Sequence, residues 1–100
     1  MYSQLLSIHW VEIVRVRLAS MANADKVRCV FEEFVTNGLT ATPPPAKAAL
    51  YKSAVSTDWS IHLVWAGEKG ELETSPLGAC LLVCLRELGI VNHSTWEKYS

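Results

Sequence analysis

The sequence has no surplus of charge of either sign, and this excludes several classes of protein. Its 100 residues carry nine Lys and Arg against ten Asp and Glu, for a formal net charge of -1. The basic residues are scattered among the acids, so they form no stripe of the kind that neutralises nucleic-acid phosphates. The sequence therefore predicts no nucleic-acid partner.

The sequence also lacks export, membrane and phosphate-binding signals. Its first residues show no basic leader and no small-residue cleavage site, and Glu12, Arg15 and Arg17 interrupt the apolar residues around them. Neither a signal peptide nor a membrane span is expected. The five glycines form no phosphate cradle, and no nucleophile elbow is present. We predict a cytoplasmic protein that does not bind membranes.

Cysteine is scarce, with Cys29, Cys80 and Cys84 making an odd count. All three fall within predicted helices rather than at turns. They are typical of small buried thiols in a reducing compartment. Cys80 and Cys84 are neighbours on one helix, but without further ligands a redox pair is not expected.

Half of the residues are apolar, so one domain of this length can bury a core without disulfides or metal. The periodicity of the apolar residues predicts the order β-α-β-β-α-β. This order indicates a ferredoxin-like α+β fold over residues 1–100, with two helices on one face of a four-stranded antiparallel sheet of order 4-1-3-2. The predicted segments are Ile8 to Leu18, Asn23 to Asn37, Ala48 to Val55, Trp59 to Trp65, Pro76 to Leu88 and Ile90 to Trp96.

Local signals mark the helix ends. Asn23 is a predicted N-cap, and Asn37-Gly38 is a predicted stop. Ser75-Pro76 is the preferred start of a helix, with a hydroxyl cap before proline at the first position. Gly89 is predicted to end the second helix in a left-handed conformation. The segment Pro43-Pro44-Pro45 is interpreted as a stiff connector before the second strand.

Both faces of the predicted sheet are apolar. One face would carry Trp59, Ile61, Leu63 and Trp65, and the other Val11, Ile13, Tyr51, Val55 and Val64. Helices on one face leave the second without cover. We therefore expect a homodimer through the sheet face, which buries about 1,600 Å² or more in total. The second helix is also apolar around much of its surface, which suggests a further contact there.

The chain resembles the dimeric α+β barrels, a group that includes antibiotic-biosynthesis-monooxygenase-like and stress-responsive barrel proteins. The resemblance lies in the element order, in IVRVRLASMANADKVRCVFEEFV as strand and helix, and in ALYKSAVSTDWSIHLVWAG as hairpin. It implies a homodimeric barrel with a pocket in each protomer, between helices and sheet or within the barrel. Members include oxygenases without metal or flavin, haem-degrading enzymes, lactone isomerases and proteins without known activity.

His62, Tyr51 and Arg15 are the candidate catalytic residues. His62 lies in an apolar strand, where it is either a hydrogen-bonded core residue or a general base that also orients a phenolic or carbonyl group. The strand parities allow Tyr51 and Arg15 to share its face. Such a set in an apolar pocket would suit an acidic aromatic molecule.

Trp65, Asn92, His93 and Trp96 are the candidate ligand-binding residues. Tryptophans usually fill a core or an interface, and an aromatic-lined pocket is the alternative. Asn92 and His93 belong either to a solvated edge strand or to a pocket mouth. His9, His62 and His93 together could hold zinc or iron, but no carboxylate or i, i+4 pair supports such a site. We expect neither a metal nor another cofactor.

Two functions remain open at this point. The first is a cofactor-independent oxygenase or isomerase, or a binder, of a small hydrophobic or aromatic molecule. The second is a non-catalytic dimeric interaction or regulatory module. A cavity of a few hundred cubic ångströms would favour the first function.

Overall fold

A computed structural model of the protein describes residues 9–36, 44–67, 69–71 and 73–98. The elements follow the predicted order β-α-β-β-α-β, so the domain has the ferredoxin-like α+β fold. The described residues form four strands and two α-helices, namely β1 (His9–Leu18), α1 (Ala24–Phe31), β2 (Lys47–Lys52), β3 (Asp58–Ala66), α2 (Pro76–Arg86) and β4 (Gly89–Glu97).

The four strands form one antiparallel sheet in the order β2-β3-β1-β4, as the sequence predicts. The register places Val14 of β1 opposite Ile61 of β3 and His93 of β4. Because side chains alternate between the two faces of a strand, this register assigns every strand residue to a face.

The core lies between one sheet face and the two helices. β1 contributes its even-numbered residues to this face and β3 its odd-numbered ones. Leu77, Leu81 and Leu85 recur along α2 at helical spacing, and each is at most 1 % exposed. The fully buried core also contains Val14, Val16, Val27, Ile61 and Leu63. The face with Ile61 and Leu63 therefore packs against the helices, and no element within the described residues covers the other sheet face.

The first helix begins differently from the sequence prediction. A 3₁₀ turn, Met21–Asn23, precedes α1, and the hydroxyl of Ser20 accepts a hydrogen bond from the amide of Ala22. Asn23 is the residue before α1, as predicted, but its side chain makes no capping hydrogen bond, and that part of the N-cap prediction was wrong. The side-chain cap belongs to Ser20, at the start of the 3₁₀ turn. A π-helical turn, Glu32–Thr36, continues α1. The predicted stop at Asn37-Gly38 lies outside the described residues, as does Pro43.

The second helix begins as predicted and ends earlier. The hydroxyl of Ser75 accepts a hydrogen bond from the amide of Gly78, and Pro76 is the first helical residue. The helix ends at Arg86, and Gly89 is already the first residue of β4. Gly89 does not have a positive φ, so the left-handed prediction was wrong. A glycine is needed there because a Cβ would overlap the carbonyl oxygen of Arg17 on the neighbouring strand.

Three further expectations from the sequence concern Val55, the burial of the cysteine thiols and membrane-spanning helices. Val55 lies in the turn after β2 and is 95 % exposed, so it does not belong to the sheet face to which it was assigned. Cys29 is exposed, and Cys80 and Cys84 are half-buried, so the thiols are less buried than predicted. No helix among the residues described here is long and apolar enough to cross a membrane.

Candidate functional site

The uncovered sheet face, which we name the open face, carries the candidate site. β1 places its odd-numbered residues on this face, including Ile13 and Arg15, while β3 and β4 place their even-numbered residues there. From β2 the open face receives Tyr51, which pairs with Ser60. The polar and aromatic side chains of the four strands therefore alternate with the core residues beneath them.

A groove of about 390 Å³ crosses the open face. It runs over β3, β1 and β4, the strands that lie side by side in the sheet. The groove is half open to solvent and combines apolar, polar and charged side chains. Its walls consist of Ile13, Arg15, Ser60, His62, Asn92, Ser94 and Trp96. Its volume is in the range of small-molecule sites.

His62 stands in the middle of β3 with polar and aromatic neighbours. The hydroxyl of Ser60 lies 3.1 Å from Nε2 of His62, within hydrogen-bond distance. The Tyr51 and His62 rings have their centroids 4.6 Å apart, with planes inclined by 54°. Partial burial lowers the pKa of His62 from its usual value. The imidazole is therefore neutral near pH 7, and a neutral imidazole can accept a proton.

Arg15 lies where the groove meets a second, smaller depression of about 200 Å³. Arg15 and Asn92 line both spaces. The smaller space also contains an ion pair, in which Nε of Arg17 lies 2.9 Å from Oδ1 of Asp58. Hydrogen bonding from Arg17 lowers the pKa of Asp58. The guanidinium of Arg15 makes no ion pair within the described part of the chain.

The predicted site residues divide between the two faces. His62, Tyr51, Arg15, Asn92 and Trp96 share the open face, and Trp65 and His93 lie on the helix-covered face. The ligand-binding prediction for Trp65 and His93 therefore does not apply to this groove.

The three-histidine alternative does not fit the structure either. His9 and His62 lie on the open face, and the sheet separates them from His93. No group of three metal-ligating side chains occurs within the residues described.

A buried polar cluster on the other face was missed by the sequence analysis. The Glu12 side chain is fully buried, and its carboxylate accepts hydrogen bonds from Trp65, Ser75 and His93. Nε2 of His93 lies 2.7 Å from Oε2, the Ser75 hydroxyl donates over 2.5 Å to Oε1, and the Ser75 amide donates over 3.0 Å to Oε2. We name these four residues the Glu12 cluster.

The Glu12 cluster holds the start of α2 against the sheet. Ser75 is both the cap of α2 and a donor to the carboxylate, so it connects the helix to β1. Gly78 in the first turn leaves the space that the carboxylate occupies, since a Cβ there would overlap it. A buried carboxylate is tolerated when hydrogen bonds satisfy it, and this one also lies at a helix N-terminus. The cluster therefore serves the fold.

The sequence carried one signal for this cluster. Glu12 occupies an even position of β1, between Trp10 and Val14, where every other even position is apolar and buried. An acid in that register must be paired inside the protein.

The outer surface of α2 carries a shallow apolar groove of about 300 Å³. Phe34, Cys80 and Cys84 contribute to it, together with Ala79 and Val83, and Val83 is 62 % exposed. Burial raises the pKa of the Cys84 thiol, so this thiol is protonated at neutral pH.

No family model and no curated protein matches the sequence. Solved structures do match it in shape. A conserved Bacteroides thetaiotaomicron protein of unknown function, described as a candidate oxidoreductase, aligns with a TM-score of 0.67 at 16% identity, over 91% of this chain and 98% of its own. The chain has a known fold. This chain shares the ferredoxin-like α+β architecture with solved structures that match it.

Two further structures extend the likeness of fold. A dimeric ferredoxin-like protein of unknown function from Thermobifida fusca aligns with a TM-score of 0.62 at 12% identity, over 91% of this chain and 92% of its own. A candidate antibiotic biosynthesis monooxygenase from Chloroflexus aurantiacus aligns with a TM-score of 0.57 at 14% identity, over 92% and 94%. The resemblance that the sequence suggested is therefore confirmed at the level of the ferredoxin-like domain.

Proposed function

We propose that the domain acts as a homodimer that binds a small aromatic molecule between two open faces, as a cofactor-independent oxygenase or isomerase. One observation carries the proposal. A groove of about 390 Å³ on the uncovered sheet face brings a neutral histidine together with arginine, asparagine and tryptophan side chains. Apolar pockets with a few convergent polar groups are typical of small-molecule sites.

The dimer is supported by apolar exposure on the open face. Tyr51, Ile90 and Trp96 are 53 %, 77 % and 60 % exposed, and all three project from that face. Large exposed aromatic and aliphatic side chains mark surfaces that a partner covers. A second copy placed sheet against sheet would cover them and close the groove. The fold relative from Thermobifida fusca is described as dimeric, which supports this arrangement.

His62 is the proposed general base. Its lowered pKa keeps the imidazole unprotonated, so it can take a proton from an acidic C–H or O–H group of a bound molecule. Tyr51 would stack on or hydrogen-bond the same molecule, and Arg15 would stabilise the negative charge that develops. Reprotonation of the resulting anion at another carbon is isomerisation. Addition of dioxygen to the anion, through electron transfer and formation of a C–O bond, gives a hydroperoxide; its loss of water leaves one oxygen atom in the product as a carbonyl, which is oxygenation. The descriptions of two fold relatives as a candidate oxidoreductase and a candidate monooxygenase favour oxygenation.

The test is a thermal-shift screen of phenols, quinones and aromatic acids with and without a chelator. Wild type and His62→Gln are compared, and His9→Gln is the matched control because His9 shares the open face without lining the groove. A ligand at a hundred times its dissociation constant should stabilise the wild-type fold by about 2.7 kcal/mol. We expect binding that survives the chelator and His9→Gln but is lost in His62→Gln. Equal binding to all three proteins would contradict the assignment of His62.

Hits should then be incubated aerobically with the protein, and the products identified by mass spectrometry. Mass gained as oxygen indicates oxygenation, and an unchanged mass with an altered spectrum indicates isomerisation.

The second candidate is a non-catalytic interaction module. The exposed apolar groove beside Val83 and Phe34 favours it, since that surface offers a contact separate from the open face. A dimer that binds none of the screened compounds would support this module and refute the enzyme.

A further inference from the structure

We infer that the molecule bound in the dimer carries a single negative charge, a carboxylate on an aromatic ring, and that Arg15 binds it. This inference rests on the proposed function and specifies its ligand. It depends on the charges of the open face, on the position of Arg15 between two depressions, and on the apolar side chains of Ile13 and Trp96 in the groove.

The open face has a surplus positive charge near its centre. Asp58 is its sole acid among the described strand residues, and Arg17 already binds it through two hydrogen bonds of 2.9 and 3.3 Å. Arg15 has no ion-pair partner in the described part of the chain, although its charge acts on Asp58 at longer range and lowers its pKa. Arg15 is therefore an uncompensated guanidinium beside the groove, whereas Lys47, which the register also places on the open face, lies on the edge strand β2 and does not line the groove.

Dimerisation through the open face would impose a desolvation penalty on the Arg15 guanidinium. In the separate protomer Arg15 is exposed, and water solvates its guanidinium. A second sheet laid over the open face would remove that water from the guanidinium. A buried charge needs a counter-charge, and Asp58 is occupied. An anionic ligand supplies the missing negative charge.

The surroundings of Arg15 indicate the kind of anion. The guanidinium fork matches a planar carboxylate, which it can bind through two parallel hydrogen bonds. Asn92 lines both depressions beside Arg15 and offers an amide donor. Ile13 and Trp96 line the larger groove, where an aromatic ring would pack. One free guanidinium per protomer balances a monoanion rather than a phosphate dianion.

The experiment compares naphthoate with naphthamide, which has the same ring and nearly the same shape but no charge. Calorimetry of the wild-type dimer should show naphthoate binding at least about tenfold more tightly, because hydrogen bonds to charged groups are strong. Arg15→Gln should remove this preference, and Arg15→Lys should retain part of it, since lysine keeps the charge without the fork.

Two further variants separate this role from a general effect of charge. Asp58→Asn releases Arg17 and should increase naphthoate affinity. Arg28→Gln removes a cation from α1, where Arg28 pairs with Asp25 away from the open face, and should leave the naphthoate affinity unchanged.

The strength of the dimer gives an independent measurement. Without ligand, Arg15→Gln should dimerise more tightly than the wild type in sedimentation experiments, and of these two proteins naphthoate should strengthen only the wild-type dimer.

The outcomes distinguish the two proposals. Equal affinity of the wild type for naphthoate and naphthamide would refute the inference that the ligand is an anion. It would not contradict the proposal that the groove binds an aromatic molecule. An unchanged naphthoate preference in Arg15→Gln would refute the role of Arg15. A dimer that binds neither compound nor any other aromatic compound would refute both the ligand class and the proposed function.

Discussion

Glu12 is a charged side chain placed entirely inside the protein, and its partners determine whether this is tolerable. Backbone and side-chain donors from Ser75, an indole from Trp65 and an imidazole from His93 converge on its two oxygens. A buried charge that loses one partner is strongly destabilising, whereas one whose hydrogen bonds are all made is tolerated. Single changes in the Glu12 cluster should therefore affect the whole fold.

Gly78→Ala should destabilise the domain by about 2 kcal/mol, because the added Cβ would overlap the Glu12 carboxylate. Urea denaturation measures the change. The control is a double-mutant cycle with Glu12→Ala, which removes the carboxylate and makes room for the methyl group. We expect the two substitutions together to cost clearly less than the sum of each alone. Additive costs would show that the overlap is not the cause.

His62 should make stability depend on pH in a defined direction. Its pKa is lower in the folded protein than in the unfolded chain, so the unfolded chain binds more protons between the two pKa values. The contribution of neutral His62 to the free energy of unfolding is therefore fully present above about pH 6.5, the usual histidine pKa, and it falls as the pH drops below that value. His62→Gln should flatten this decline in thermal melts between about pH 7 and pH 5. Arg28→Gln, which removes no group that titrates there, should keep the wild-type slope.

At the scale of elements, the junction between α2 and β4 depends on close packing of backbones. Gly89 pairs with Leu18, and its Cα faces the carbonyl of Arg17 without space for a Cβ. Gly67 and Gly70 instead have positive φ and open space around them. The same residue type thus serves two needs, a close approach in one place and a turn conformation in the others.

Gly89→Ala and Gly70→Ala should therefore differ in cost. Alanine at Gly70 meets only the penalty of a left-handed φ, about 1 kcal/mol. Alanine at Gly89 meets backbone that cannot move without disturbing the β1–β4 pairing, so we expect about 2 kcal/mol or more. Chemical denaturation of both variants gives the comparison. Equal losses would indicate that β4 shifts easily to make room.

At the scale of the whole molecule, we expect the open face to determine the oligomeric state. Its exposed Tyr51, Ile90 and Trp96 form the surface that we expect a second copy to cover. A stable interface of this kind buries about 1,600 Å² in total. Light scattering at micromolar concentration should report about twice the mass of the chain.

Trp96→Lys should reduce the dimer to a folded monomer, because it replaces an exposed indole of the proposed interface with a charge. Val83→Lys is the matched control, since Val83 is 62 % exposed on α2, on the other side of the domain. It should leave the dimer intact. If Val83→Lys dissociated the dimer and Trp96→Lys did not, the interface would lie on the helices instead of the sheet.

The sequence by itself determined the element order, the strand order and the Ser75-Pro76 helix start, and its strand parities allowed Tyr51 and Arg15 to share a face with His62. These follow from apolar periodicity and capping chemistry, which are local properties of the chain. Only the tertiary structure decided which face the helices cover, where Glu12 finds its donors and why Gly89 must lack a side chain. Register and contacts between distant segments settle those points, and no local pattern contains them. Trp65 and His93 illustrate the difference, because both were plausible pocket residues until the register placed them beneath the helices.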